Sequence, residues 1–311
     1  MLQKVREYCV SQGGPDVSKQ FKGCLAAIAS GCMYGMMPLF ILSVSKSGAA
    51  TSAFCLTMRR LFGLLIMLPY LFTHYKSTPK TGRFALKTAG SSLIMSATAI
   101  LLYTSYNFLP TGVAITIHYL YPVVALLIGV IFCREKVKPI TVAAVALSLV
   151  GIFLLCDPGS IPEGAAPGFI IVVLSAITCG SHFVYLSKTG LSDANPFVFS
   201  GTQCFFSLLI TLAYTAIIGE LHVEWSLSAV LSFLAIGVLD ILAMATMSLA
   251  VRMVGSTLTS ILATMEPIVC TIGSALLLHD VISPRAYIGS VLVLTAVVII
   301  IALGRSKEAA A

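Results

Sequence analysis

The segment that decides the fold is YPVVALLIGVIFCREKVKPITVAAVALSLVGIFL, which occupies residues 121–154. Its layout returns 145 residues later as EPIVCTIGSALLLHDVISPRAYIGSVLVLTAVVI, at residues 266–299. The pairs of identical residues at this offset include Pro122 with Pro267, Pro139 with Pro284, Gly23 with Gly168, Ser30 with Ser175 and Gly35 with Gly180. Because the offset holds without a gap from about residue 22 to residue 303, the chain consists of two copies of one unit.

Composition places these copies in a membrane. The chain is 58% hydrophobic and only 10% charged, whereas a soluble domain carries about 25% charged residues. Runs of about 20 apolar residues are long enough to cross a hydrocarbon layer of about 30 Å. We therefore expect the chain to have the lipid bilayer as its partner, and we expect no nucleic acid despite its positive net charge.

Ten spans follow from the apolar runs, at roughly 21–44, 50–73, 87–108, 112–132, 138–156, 167–187, 194–218, 226–251, 255–278 and 284–303. Each copy then holds five spans, and an odd number makes the second copy enter the membrane upside down. The predicted fold is an all-α membrane protein with ten transmembrane helices in two inverted five-helix repeats. Secondary transporters are often built in this way.

The net charge of +7 becomes a topology signal once it is mapped onto these spans. With a cytoplasmic N-terminus, fifteen of the nineteen Lys and Arg residues fall in inner segments and only Lys46 and Arg285 in outer loops. This bias follows the positive-inside rule. It predicts that both termini are cytoplasmic, in a protein of the plasma (inner) membrane.

The same map divides the chain into five parts. We expect a cytoplasmic N-terminal arm at 1–20, a first five-helix repeat at 21–156, an extracytoplasmic linker at 157–166, a second repeat at 167–303 and a cytoplasmic tail at 304–311. The linker sequence DPGSIPEGAA carries two Pro, two Gly and no basic residue.

Asp240 and Glu266 are the two acids that fall well inside spans. A carboxylate in hydrocarbon costs at least a few kcal/mol, so such residues face a cavity or a partner. Both are candidates for substrate binding and proton coupling. The alternative for each acid is a purely structural ion pair or hydrogen bond, for which Arg59 and Arg60 lie at depth. Because neighbouring helical residues point about 100° apart, the two arginines are not expected to face one ligand.

His118 and Tyr121 lie three residues apart on one helical face, and the repeat offset matches Tyr121 to Glu266. If an in-plane two-fold axis relates the copies, these three residues become neighbours at the centre. His118 is therefore a candidate for substrate binding and for sharing a proton with Glu266. The alternative is a neutral histidine that serves only in helix contact.

Pro122 and Pro267 are candidate hinges. A proline inside a helix removes the donor to the carbonyl four residues earlier, which predicts free carbonyls at His118 and Ala263. Such carbonyls near the midplane serve a ligand or a hinge, or are satisfied by a neighbouring Ser or Thr. Three further tyrosines complete the predicted substrate-binding set: Tyr34, Tyr103 and Tyr185.

The two quoted segments resemble the end of an EamA-type repeat: a proline, an apolar run, an acid at the helix end and a Gly-rich last helix. Pro122 with Glu135 and Pro267 with Asp280 match this pattern, and Arg59, four residues before Gly63, resembles an arginine of the second helix. The chain is thus similar to EamA-type transporters of the drug/metabolite transporter superfamily. The resemblance implies a ten-helix fold with a central cavity and a peripheral fifth and tenth helix.

Together these features predict a secondary active transporter of small organic metabolites that exports amino acids by alternating access around a midplane site. An importer, or an antiporter of other metabolites, is the alternative within transport; an intramembrane enzyme or a sensor is the alternative of another class. The sequence carries no Walker, GxSxG or HExxH pattern, so we expect no enzyme, no cofactor and no metal. Protons are the candidate coupling ion.

Overall fold

The computed structural model describes residues 17–74, 82–109, 111–133, 139–155, 163–278 and 283–306. Within these residues the chain forms eleven α-helices: α1 (Val17–Lys46), α2 (Ser52–His74), α3 (Gly82–Ser105), α4 (Thr111–His118), α5 (Tyr121–Cys133), α6 (Pro139–Leu155), α7 (Ala166–Lys188), α8 (Pro196–Ile217), α9 (Leu227–Leu262), α10 (Glu266–Leu278) and α11 (Pro284–Ser306). Glu135, Asp280, residues 1–16, most of the linker and the last five residues lie outside the described residues.

Membrane-length helices dominate this architecture. Seven stretches of the described chain are long and apolar enough to cross a bilayer: Lys19–Lys46, Ser52–His74, Gly82–Ser105, Val113–Phe132, Ala166–Lys188, Pro196–Ile217 and Leu227–Gly273. Two shorter apolar helices cover Pro139–Leu154 and Pro284–Ile299. The expectation of a helical membrane protein is confirmed by this nearly all-helical fold.

Two helices are interrupted at equivalent places in the two copies. The first break separates α4, which ends at His118, from α5, which begins at Tyr121. The second is a 3-10 turn at Ala263–Met265, directly before α10 begins at Glu266. In both copies the proline is the second residue of the following helix, where its missing N–H is tolerated. The prolines are therefore not residues of a helix interior, contrary to the expectation from the sequence, although the predicted span at 112–132 corresponds to the membrane-length stretch Val113–Phe132.

The carbonyl of Ala263 corrects a second expectation. It accepts a hydrogen bond from the backbone N–H of Glu266 across the 3-10 turn. The proline at 267 therefore does not leave this oxygen free for a ligand, because the tighter turn supplies a donor from the preceding residue.

Reciprocal hydrogen bonds join the two copies. Ser30 on α1 donates from Oγ to the carbonyl of Ala243 on α9 at 2.8 Å. Ser175 on α7 donates in the same way to the carbonyl of Thr98 on α3, also at 2.8 Å. Donors and acceptors both differ by the repeat offset, so each copy makes towards the other the contact that it receives.

Glycine contacts repeat this reciprocity. Gly35 on α1 lies against the carbonyl of Glu266, and Gly180 on α7 lies against the carbonyl of Tyr121. A Cβ at Gly180 would come within 2.7 Å of that oxygen, which is closer than van der Waals contact. Only glycine lets these helices approach the start of the half-helices α5 and α10 so closely.

The packing order sets two helices, α6 and α11, apart from the others. Helix α1 packs along α9, α3 packs against α7 and α8, and α2 packs against α8. Helices α6 and α11 pack mainly against each other, at the side of the bundle. Most of the buried polar residues lie on the other long helices: α1, α2, α3, α7, α8 and α9.

Candidate functional site

A buried ion cluster lies between α2 and α9. Asp240 is fully buried, and Arg60 Nη1 lies 2.5 Å from its Oδ2 atom. Arg59 Nε lies 3.5 Å from Oδ1 of the same carboxylate. Adjacent arginines leave a helix about 100° apart, yet both long side chains reach the same acid.

This cluster carries two positive charges for one negative charge. The Cys204 thiol on α8 lies 3.8 Å from Asp240 Oδ2 and adds a weak contact. Two buried arginines need more than one carboxylate for neutrality, because an uncompensated buried charge is strongly destabilising. The local charge balance therefore calls for a second anion near Arg59.

Glu266 is that second acid. It is the first residue of α10, and it interacts electrostatically with Arg59. Its side chain is surrounded by protein but keeps some accessible surface, which is typical of a residue that lines an internal cavity. Within the described part of the chain, no side chain hydrogen-bonds to its carboxylate or forms an ion pair with it.

Arg59 has hydrogen-bonding capacity to spare. A guanidinium has five N–H donors. Among the described residues, its contacts are the ion pair of Nε with Asp240 and a 3.7 Å contact of Nη1 with the Met37 sulfur. A thioether is a weak acceptor. The outer edge of the guanidinium is thus available to a carboxylate that enters the site.

Tyrosines enclose the space around these charges. Tyr34 lies within electrostatic range of both acids and both arginines, and its hydroxyl is buried without a hydrogen-bond partner among the described residues. Tyr103 lies within range of Arg59 and Glu266, and Tyr121 within range of Glu266. The Tyr121 ring also stacks on Phe183 at a centroid distance of 5.5 Å. An aromatic wall therefore borders the charged groups.

His118 joins the same region through its ring. Its centroid lies 5.7 Å from that of Tyr121, and its Nδ1 atom lies 3.0 Å from Ser175 Oγ. Ser175 has a single hydroxyl proton, which it donates to the Thr98 carbonyl, so its oxygen accepts from His118. A neutral His118 is then protonated at Nδ1 and offers Nε2 as an acceptor.

Tyr185 lies elsewhere. Its hydroxyl donates to the carbonyl of Lys87 at 3.1 Å, at an exposed position. The structure thus gathers six of the seven sequence-predicted binding residues around one centre: Tyr34, Tyr103, His118, Tyr121, Asp240 and Glu266. Sequence reasoning did not single out Ser175 or Cys204, because small polar residues inside apolar runs carry no spacing signal.

The arrangement does not resemble a metal centre. In the part of the chain that the structure describes, no group of three or more His, Cys, Asp or Glu residues is placed to hold a metal ion. The site instead brings together a cationic donor group, Arg59, an anionic acceptor group, Glu266, and three tyrosines within electrostatic range of them.

Comparison with known proteins gives the family. The model of the EamA-like transporter family matches residues 21–156 and again residues 166–302. The uncharacterized transporter YxxF of Bacillus subtilis (strain 168) is 24% identical over 143 residues, which are 45% of this chain and 45% of that protein. The match thus spans about half the length of this relative.

A solved crystal structure of another protein supports the fold. It superimposes with a TM-score of 0.78 at 15% identity and covers 92% of this chain and 98% of that one. At this identity the likeness concerns the fold alone. The two family matches together cover most of the sequence, and the resemblance found in the sequence is confirmed: the chain belongs to the EamA-like transporter family.

Proposed function

We propose that this protein is a secondary active transporter that exports amino acids by alternating access. The observation that carries the proposal is that Arg59 lies 3.5 Å from Asp240 and within electrostatic range of Glu266. Arg59 has donors to spare, and Glu266 has no hydrogen-bonded partner among the described residues. These two groups suit the two charges of an amino acid.

The substrate's carboxylate is assigned to Arg59. Arginine binds carboxylates through parallel N–H donors, and Arg59 keeps donors that its contacts with Asp240 and Met37 leave unused. The substrate's ammonium is assigned to Glu266, with His118 Nε2 as a further acceptor. Tyr34, Tyr103 and Tyr121 provide the wall against which the substrate's side chain packs.

Alternating access is assigned to the two copies. The reciprocal serine and glycine contacts support a two-fold relation between them. We extend this to ten crossings, with Leu227–Gly273 providing two of them on either side of Gly255. The copies rock about the broken helices at Pro122 and Pro267. Both termini face the cytoplasm from the plasma membrane.

Protons are the proposed coupling ion. Glu266 lies near a cation but outside a hydrogen-bonded pair, so its protonation can differ between states of the cycle. When the substrate engages Arg59, the Asp240 carboxylate loses one of its two cationic partners. In the proposed cycle it then binds a proton. His118 completes the set of proton-handling groups through its Nε2 acceptor.

Transport by purified protein tests the proposal. Proteoliposomes are loaded in turn with each member of a panel of labelled amino acids, and efflux is measured with and without a pH gradient. We expect efflux of at least one amino acid that depends on the gradient. Protein-free liposomes and the exposed-acid variant Glu224→Gln are the controls. Absence of protein-dependent flux for the whole panel would overturn the assignment.

A further inference from the structure

A second buried polar group lies on the Lys87 side of the ion cluster. We name it the inner polar chamber and define it by Thr88, Ser91, Ser92, His182 and Gln203, each at most 1% exposed. His182 Nε2 lies 2.9 Å from Ser91 Oγ. Ser92 donates to the backbone carbonyl of Gln203 at 3.2 Å. The chamber thus joins α3, α7 and α8.

One end of the chamber approaches the aqueous phase. Lys87, four residues before Ser91 on α3, donates from Nζ to the carbonyl of Thr189 at 2.7 Å. Tyr185, three residues after His182 on α7, donates to the carbonyl of Lys87. Both contacts are exposed, so His182 and Ser91 lie only about one helical turn, or about 5 Å, from an accessible surface.

The other end of the chamber faces the ion cluster. Arg60 lies within electrostatic range of His182. Its Nη1 atom holds Asp240, while Nε and Nη2 are buried without a hydrogen-bond partner in the described part of the chain. His182 is therefore placed between the exposed Lys87 contacts and the Arg60–Asp240 pair.

Unpartnered polar atoms extend along the same helices. They are Thr88 Oγ1 and Ser96 Oγ on α3, and Gln203 Oε1, Gln203 Nε2 and Ser207 Oγ on α8, as far as the described residues go. Thr88, Ser92 and Ser96 follow at intervals of four residues, as do Gln203 and Ser207, so each set shares one helical face. Buried polar atoms without protein partners are commonly satisfied by water.

We propose that His182 is a proton-binding site that connects the aqueous phase at the Lys87 end with the Arg60–Asp240 pair through the inner polar chamber. The neutral imidazole takes up one proton from water and becomes an imidazolium with one added positive charge. This charge repels Arg60 and weakens its hold on Asp240. Release of the proton to water restores the neutral ring and the pair.

The groups around His182 define its electrostatics. Arg60 acts on it from α2. The elements packed against α7 carry further ionisable residues, among them Arg83, Lys87 and Tyr103 on α3, His118 on α4, Tyr121 on α5, Asp240 and Arg252 on α9, and Asp193 in the 3-10 helix Leu191–Asp193. Tyr185 and Lys188 follow on α7 itself. Arg60 opposes the protonated ring, and Asp240 is the acid that can compensate it.

The inference rests on the proposed function, because it names the path of the coupling proton. Flux is therefore compared in wild type and in His182→Gln, which cannot bind a proton. A pH gradient of one unit drives at most about tenfold accumulation per coupled proton. We expect this gradient effect to vanish in His182→Gln while exchange at equal pH persists. His222→Gln, which alters an exposed histidine, should keep the full effect.

A measurement that needs no substrate separates the two proposals. The full chain, labelled with 15N-histidine in lipid nanodiscs, is titrated by NMR, and the His182 signal is identified by its loss in His182→Gln. We expect reversible protonation of the imidazole between about pH 3 and 8, a range that reaches the acid side because Arg60 opposes the imidazolium. Ser91→Ala, which keeps the imidazole but removes its hydrogen-bond partner, should shift the midpoint of this titration. If His182→Gln does not fold, this shift identifies the His182 signal in its place.

Two results would overturn the inference. One is a His182 signal that stays in a single protonation state throughout the range. The other is a gradient effect on transport that His182→Gln retains, which would leave the proposed transport intact. If no variant transports any amino acid but His182 titrates as described, the proton site stands and the proposed function fails.

Discussion

Arg60 and Asp240, which are 180 residues apart in the chain, meet in a 2.5 Å contact between Nη1 and Oδ2. The pair joins the first copy of the repeat to the second in a fully buried setting. Arg59 shares the same acid from a greater distance. Two arginines thus meet at one carboxylate: Arg60 lies closer to it, and Arg59, at 3.5 Å, is the arginine that we propose engages a substrate.

Asp240→Asn should lower the stability of the protein by about 3–5 kcal/mol, because it leaves two buried guanidinium groups with no acid in contact. Thermal unfolding in nanodiscs measures the loss. The double variant Asp240→Asn with Arg60→Met should recover part of it, since a buried charge is removed together with its partner. A double variant no more stable than Asp240→Asn alone would contradict this reading of the pair.

Ser30→Ala and Ser175→Ala remove equivalent hydrogen bonds between the copies. Each should cost about 0.5–1.5 kcal/mol of stability. Only Ser175→Ala also releases His118, and we therefore expect only this variant to lose transport beyond its loss of stability. The Ser30 variant is the matched control. Equal flux in the two variants, at equal amounts of folded protein, would remove the positioning role of Ser175.

Gly255 has a backbone conformation, with φ 83° and ψ 170°, that only glycine adopts readily. No atom lies within 4 Å of a Cβ built there, so the cost of Gly255→Ala comes from the backbone alone, about 1–3 kcal/mol. Gly82→Ala, which also meets no neighbour within 4 Å but has no positive φ, should keep wild-type stability. An unchanged melting temperature for Gly255→Ala would contradict the positive-φ backbone conformation at this residue.

The repeat offset was the most informative property of the sequence. It matched Tyr121 to Glu266, and the structure begins a half-helix at each of these residues. The offset also matches the reciprocal contacts of Ser30 and Ser175. Periodicity predicted the helices well because every span must satisfy its backbone internally in lipid. It did not predict that each candidate hinge proline stands at the start of a half-helix, since the apolar runs continue across the breaks.

Side-chain partners were harder to predict. Apolar spans give little sign of which face a polar residue occupies, so the sequence left Asp240 open between a structural ion pair and a site residue. The structure pairs it with two arginines. Tyr185 follows His182 by three residues as Tyr121 follows His118, yet Tyr185 donates to the Lys87 carbonyl at an exposed position. Such distinctions depend on contacts between helices far apart in the chain.

The central claim is that Arg59 and Glu266 hold the two charges of an amino acid. Its most direct test is efflux, from proteoliposomes of wild type and Glu266→Gln, of one transported amino acid and of its deaminated analogue, which lacks only the ammonium group. Wild type should prefer the amino acid by about tenfold or more, the worth of a hydrogen bond to a charged group, and Glu266→Gln should lose this preference. A variant that transports but still discriminates as wild type does would contradict the assignment.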